Sequence, residues 1–324
     1  MNPFLTPDRR EAHKRRNRWH SLLLVGGIGL ILLVSASLIW SWTGALVALL
    51  IVVAVAAFGP RVSPETIMQL YRAKPVDPHH GSQLTHIVEV LADRAELPAH
   101  PRLYVIPSMT LNAFASGNRE RAAIAVTEGL LRRLSLREVA GVLAHEMSHI
   151  RNNDLAVMSL ADAMTRFTQV MSYLALFLAI LNLPSLLLGD PPFPWTAIVL
   201  LYLAPTASSL LQLGLSRTRE YDADLEAASL TGDPAGLAAA LRSLEQYQGR
   251  FWEDLTYPVP MRRIPQPSVL RSHPATQDRI ARLLELEGRP HPAPISVVEE
   301  PMFSLVGVGP IEMAPRTRWP GVWF

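Results

Sequence analysis

Residues 135–154 read SLREVAGVLAHEMSHIRNND, and the reading of the whole chain turns on them. Ser135 and Glu138 stand at capping-box spacing, in which each side chain satisfies an amide that the first helical turn leaves unpaired. Val139, Val142, Leu143, Met147 and Ile150 then recur on one helical face. The predicted helix carries His145-Glu146-Met147-Ser148-His149. Positions four apart lie on the same side of a helix, so both imidazoles reach one metal ion while Glu146 points in a neighbouring direction. This is the H-E-x-x-H arrangement of zinc peptidases. Zinc acidifies a water and polarises the scissile carbonyl, and the glutamate takes the proton and later returns it to the leaving amine. A helix with two surface histidines gives the same letters; the capped, amphipathic setting is what favours the metal.

Catalytic zinc takes three protein ligands and keeps one position open. The chain has no cysteine, which excludes disulfides and thiolate sites and leaves nitrogen and oxygen donors. Asn152 and Leu155 stand where a metzincin would have glycine and its third histidine, so that class is excluded. Residues 216–224 read SRTREYDAD and are expected to open a helix. Glu220 and Asp224 are four apart, so that one can bind metal while the other orients a histidine. Carboxylates also suit any helix start, and the residues alone leave Glu220, Asp222 and Asp224 open.

Further out, the chain divides by solvent. The hydrophobic share is 49% and the charged share 18%, below the roughly 25% charged of an average soluble protein. The apolar surplus sits in runs. Residues 21–39 and 43–58 carry no charge and read as two spanning helices joined by a tight turn near Trp40 and Trp42. Two more runs lie at about 167–188 and 195–214. Thr168, Ser172, Asn182, Ser208, Ser209 and Gln212 make this second pair more polar, and a helical hairpin buried in a soluble domain is its plainer alternative. The basic stretch RREAHKRRNR at 9–18 precedes the first run; Arg166, Arg217 and Arg219 flank the second pair. The positive-inside rule then puts both hairpin loops outside and both termini in the cytoplasm. A net charge of +2 gives no nucleic-acid footprint.

The expected organisation is a basic N-terminus (1–19), a transmembrane hairpin (20–59), a first catalytic part (60–164), a second hairpin (165–214), a second catalytic part (215–288) and a proline-rich tail (289–324). In the first catalytic part, residues 83–97 have helical periodicity. Short β-rich runs occur at 103–106, 111–115 and 123–127, and the turn-forming Ser116-Gly117-Asn118 joins the last two as a hairpin.

Several separated motifs now stand together: Leu111 to Ala115; Ile124-Ala125-Val126-Thr127-Glu128-Gly129-Leu130-Leu131; His145 to Asp154; Arg219-Glu220-Tyr221 through Asp224; and His273-Pro274 with Arg279. In this order they resemble the HtpX-type membrane zinc endopeptidases, relatives of the CAAX prenyl endopeptidases, over roughly residues 60 to 288. The resemblance implies a mostly α membrane protein with a small β-sheet, its zincin-like (gluzincin) domain split around a transmembrane hairpin. It implies one zinc per chain, with Glu220 as third ligand beside His145 and His149. It places Asp224 and Asp154 behind the ligands, and Asn112, Ala113, Phe114 and Ala115 on an edge strand that binds an extended substrate. It sets His273 and Arg279 near the metal, where His273 can stabilise an oxyanion; a plainer role for His273-Pro274 is to start the last helix.

The expected function is a zinc-dependent endopeptidase on the cytoplasmic face of a bacterial inner membrane. Its substrates are membrane or misfolded proteins, and the resemblance suggests a stress-response role in membrane-protein quality control. A non-catalytic zinc scaffold is the alternative, but the complete ligand-and-base set argues against it. A transporter is disfavoured because the spans hold almost no ionisable residues.

Overall fold

The computed structural model describes residues 7–58, 63–76, 82–185, 189, 191–254, 276–286, 292–295, 317–318 and 322–323. The chain is mostly helical with a small four-stranded sheet and a two-stranded pair of Thr317–Arg318 with Val322–Trp323, and falls into two compact units. One takes in Val62–Leu155 and Arg217–Phe324 with the first residues of the chain; the other is Ala12–Arg61 with Ala156–Ser216.

The first unit is built on four strands: β1 (Lys74–Pro75), β2 (Arg102–Ile106), β3 (Ala113–Gly117) and β4 (Ala122–Thr127), in the order β1-β2-β4-β3. β2 and β4 run parallel, and β3 returns antiparallel to β4 at the edge. The expected hairpin is therefore present, shifted two residues along β3. Asn118 closes its turn by accepting the amides of Glu120 and Arg121 at 3.1 and 2.8 Å. The two-residue β1 carries too little pattern to be foreseen.

Strand periodicity divides the core. Leu103, Val105, Ile124 and Val126 face one way and join the main apolar cluster. Tyr104, Ile106, Ala123 and Ala125 face the other way, against Met68 of α2 (Pro64–Leu70). On the main-cluster side lie α3 (Ser82–Arg94), α4 (Glu128–Arg133) and α5 (Leu136–Arg151). The capping box of α5 is formed as expected: Ser135 Oγ accepts the Glu138 amide, and the Glu138 carboxylate accepts the Ser135 amide. The helix is buried on every side from Val139 to Arg151, so its polar face is turned to other protein groups rather than to water. Gly141 lets it approach a later helix, α8 (Pro234–Asp254): a Cβ there would lie 2.8 Å from Leu237 Cα.

The second unit consists of long apolar helices. α1 (Pro7–Phe58) is broken at Trp40 and Ser41, where Ser41 takes φ 59° and ψ −155°. A Cβ on Gly29 would lie 3.4 Å from Val52 Cγ1, although 23 residues of straight helix would part them by about 35 Å. The break is thus the tip of a hairpin, and the two apolar runs are its arms. α6 (Asp154–Asn182) and α7 (Trp195–Thr231) contain the second pair. Several of their polar residues face inward and pair: Thr165 with Ser208 at 3.0 Å, Gln212 with the Ala161 carbonyl at 2.7 Å, and Asn182 with both main-chain groups of Phe193, whereas Ser209 is exposed and bonds the Pro205 carbonyl of its own helix. Helices long and apolar enough to cross a membrane run over Trp19–Ala54, Asp154–Asn182 and Trp195–Gln212, the first being the folded hairpin.

One expectation is corrected. No new helix opens at residues 216–224. α7 runs unbroken from Trp195 to Thr231, so Glu220, Asp222 and Asp224 sit in mid-helix, and the first-turn explanation for their charge does not apply.

Candidate metal centre

α5 delivers His145 and His149 one turn apart, and α7 delivers Glu220 to the same point. Ligand atoms of the three lie within 4.8 Å of one another, all buried. The two Nε2 atoms are 3.3 Å apart. Glu220 approaches His145 Nε2 at 3.4 Å and His149 Nε2 at 3.8 Å. Bonds of about 2.0–2.1 Å to a tetrahedral zinc give an edge of about 3.3 Å, so the donor set has the size such an ion needs.

Each imidazole has a carboxylate behind it. His145 Nδ1 lies 3.1 Å from Asp224 Oδ1, and His149 Nδ1 lies 3.1 Å from Asp154 Oδ2. A hydrogen bond at Nδ1 places the proton there and leaves the Nε2 lone pair for a metal. Asp154 reaches His149 because the chain turns sharply between α5 and α6, with Asn153 at φ 57°.

Arg279, on α9 (Thr276–Leu284), is buried and grips Asp224 with two bonds: Nε to Oδ2 at 2.7 Å and Nη2 to Oδ1 at 2.6 Å. Its Nη1 lies 3.5 Å from Glu220 Oε2. Burial works against the charge of Asp224, but this guanidinium and His145 hold its pKa below the usual carboxylate range. Arg279 is itself pushed up, the cost of burial being exceeded by Asp224. Burial alone would keep His145 neutral, yet Asp224 and Glu220 push its pKa up to about 10. This buried group of carboxylates demands positive charge, which a proton or a divalent cation supplies.

Glu146 is buried next to the histidines, and desolvation raises its pKa. Its Oε2 accepts the amide of Ala115 at 3.0 Å. In an antiparallel pair, alternate residues turn their main-chain groups toward the partner. Asn112, just before β3, faces β4, exchanging bonds with Thr127 through its carbonyl and amide. Ala113 and Ala115 consequently face the open edge, beside Glu146. Phe114 turns its ring to the other side of the sheet, against Tyr71 at 5.0 Å. Asn112 is half-buried at the strand entrance. His273 lies outside the described residues.

Sequence reasoning missed two features. Thr127 stitches the start of β3: its hydroxyl binds the Thr110 carbonyl at 2.5 Å and receives the Asn112 amide at 3.0 Å. Arg151 and Asn152, at the end of α5, meet Glu226 of α7 in a buried polar cluster. Thr127 lay within a motif already singled out; Glu226 carried no signal.

The family model of peptidase family M48 matches residues 78–287. The chain is 35% identical over 276 residues to a protease HtpX homolog of Desulfatibacillum aliphaticivorans, covering 82% of this chain and 89% of that one. It is 42% identical over 238 residues to the protease HtpX homolog of Acaryochloris marina, covering 69% and 79%. Burkholderia ambifaria has a protease HtpX homolog 34% identical over 275 residues, covering 82% and 95%. Among solved structures, S. mikatae Ste24p matches with a TM-score of 0.45 at 21% identity, over 85% of this chain and 66% of that one.

Proposed function

This chain belongs to peptidase family M48 and is a membrane metalloprotease, and from that premise we propose that it holds one zinc ion between His145, His149 and Glu220 and uses Glu146 as general base. The observation that carries the reading is the buried triad itself: two Nε2 atoms 3.3 Å apart, Glu220 at 3.4 and 3.8 Å, and a carboxylate behind each imidazole. When bound there, zinc supplies Lewis acidity and lowers the pKa of water.

The chain's own residues do the rest. A peptide in extended form adds to the open edge of β3 through the main-chain groups of Ala113 and Ala115, with Asn112 and Phe114 fixing the strand's ends and seating. Taking the Ala115 amide frees the Glu146 carboxylate, which stands beside the peptide to remove a proton from the attacking water. The same carboxyl then returns the proton to the leaving amine. Asp224 and Asp154 orient the two histidines. Arg279 fixes Asp224 and offsets the charge of Glu220. His273, which lies outside the described residues, is proposed as the donor to the oxyanion. The catalytic domain is zincin-like, of the gluzincin kind, and is split around the second transmembrane hairpin.

The natural substrates in this reading are membrane proteins and their exposed loops, and the role is quality control at a bacterial inner membrane. Only five residues separate Glu220 from the apolar run ending at 214, which brings the chemistry to the bilayer surface. Arg166, Arg217, Arg219 and the basic N-terminus favour a cytoplasmic domain and cytoplasmic termini.

The test is casein cleavage by zinc-loaded protein in detergent, beside Glu146→Gln and Glu220→Ala. The first variant is expected to keep one zinc and lose about 100-fold or more in rate; the second is expected to lose zinc. Full cleavage by Glu146→Gln, or full zinc in Glu220→Ala, would falsify the corresponding assignment.

A further inference from the structure

The turn that ends α5 holds a second group of buried charge, apart from the donor set. Arg151 forms an ion pair with Glu226, and both side chains are almost wholly withdrawn from solvent. Asn152 Nδ2 donates to Glu226 Oε2 at 2.5 Å. Arg151 Nε donates to the carbonyl of Ala95, just beyond α3, at 3.0 Å. Three segments therefore meet at one point: the end of α5, the later part of α7 and the end of α3.

The positions give the cluster its meaning. Arg151 follows His149 by two residues, and Glu226 follows Asp224 by two. The tie joins the helix that presents the two histidines to the helix that presents Glu220. It also holds Asn152, which begins the turn that brings Asp154 back to His149 Nδ1. A buried ion pair adds little net stability compared with an apolar pair of the same size, and its best-attested use is to fix registry. Here the registry in question is that of α5 against α7, on which the 3.4 and 3.8 Å approaches of Glu220 to the two Nε2 atoms depend.

We propose that Arg151, Asn152 and Glu226 form a clamp that sets the metal affinity of the site by holding the two ligand-bearing helices in register. They are positioning residues: none is a ligand, and each acts through His149, Asp154 or Glu220. The inference rests on the ligand set proposed above.

The test uses the full chain in detergent. Zinc affinity is measured by chelator competition, and site geometry by the visible absorption of the cobalt-substituted protein. Glu226→Gln keeps the shape of the side chain and an acceptor for Asn152 while removing the charge; Glu226→Ala removes both. Loss of groups that support metal ligands indirectly costs 10–100-fold in affinity, so a loss of roughly tenfold is expected for Glu226→Ala and less for Glu226→Gln, with a shifted cobalt band in both. Arg137→Met is the control. It breaks the exposed Arg137–Asp233 pair at the other end of α5, and is expected to lower thermal stability with zinc affinity and cobalt band unchanged.

Parental affinity and spectrum in the Glu226 variants overturn the clamp, as does an equal loss of zinc in Arg137→Met, which would make the effect one of general stability. If Glu226→Ala does not fold, Glu226→Gln decides. Failure of the ligand set is separately visible, because Glu220→Ala would then bind zinc like the parent, and the clamp falls with it.

Discussion

The two units of the chain bury opposite things. The site-bearing unit withdraws His145, Glu146, His149, Arg151, Asp154, Arg219, Glu220, Asp224, Glu226 and Arg279 from solvent. The helical unit, among its described residues, buries only neutral polar groups such as Ser35, Thr168, Ser172, Asn182 and Ser208. Outside, the contrast reverses: the helices expose Leu22, Leu23, Leu46, Val47, Tyr173, Phe177 and Leu210 in long stripes. A protein in water cannot keep such a surface, and one in lipid cannot readily bury lone charge. The same chain has thus been fitted to two solvents. Among the described residues, its buried charge is confined to the site-bearing unit.

The sharpest way to break this contrast is to place one charge on each surface. Leu50 in α1 is 68% exposed and Leu70 at the end of α2 is 55% exposed. By exposure alone, Leu50→Asp and Leu70→Asp are equals. We expect Leu50→Asp to cost about 2.5–3.5 kcal/mol of membrane insertion and Leu70→Asp to stay within about 0.5 kcal/mol. An insertion reporter for the first and thermal melting for the second read the difference. Equal, small effects would place the helical unit in water.

Polar contacts sharpen the comparison further. Asp154→Asn keeps the shape of the group behind His149 but weakens its hold on Nδ1. Zinc affinity measured by chelator competition should fall 10–100-fold. The Thr165–Ser208 contact of the helical unit is neutral. Ser208→Ala should cost only about 0.6 kcal/mol in reversible unfolding in bicelles, the usual worth of such contacts in membranes. A larger loss for Ser208→Ala than for Asp154→Asn would invert the contrast.

The smallest effect belongs to the surface of the site-bearing unit. Arg137 holds the Asp233 carboxyl below its usual pKa. A lowered pKa in the folded state stabilises the fold above the ordinary aspartate value of about 3.9. That contribution disappears as pH falls through the lowered folded value. Asp233→Asn should therefore melt slightly below the parent at neutral pH, by a few tenths of a kcal/mol, and the gap should close in acid. A gap constant down to pH 2 would mean that charge is not its source.

Much of this contrast was legible in the residues, because both of its halves are local patterns. The capping box, the i, i+4 histidines and the apolar runs need no partner elsewhere in the chain to be read. The first hairpin was legible for the same reason, since its tip interrupts an otherwise continuous apolar stretch. The choice among Glu220, Asp222 and Asp224 was not, because it depends on which side of α7 meets α5. The expected helix start failed because Arg217 and Arg219 look like the polar end of a span, while nothing in the segment breaks a helix. The Arg151–Glu226 pair was invisible for a different reason: its partners are far apart in sequence, and an arginine near one helix end and a glutamate in another are unremarkable until the helices meet.

The bond between Ala115 and Glu146 has one more consequence. A sheet edge with open amides is a template on which other chains can aggregate, and β3 is such an edge. Its outward amide at Ala115 is already taken by a buried carboxylate at 3.0 Å. A stray strand must displace that carboxylate before it can dock. The side chain proposed as the general base thus also guards the protein against adding strands to itself.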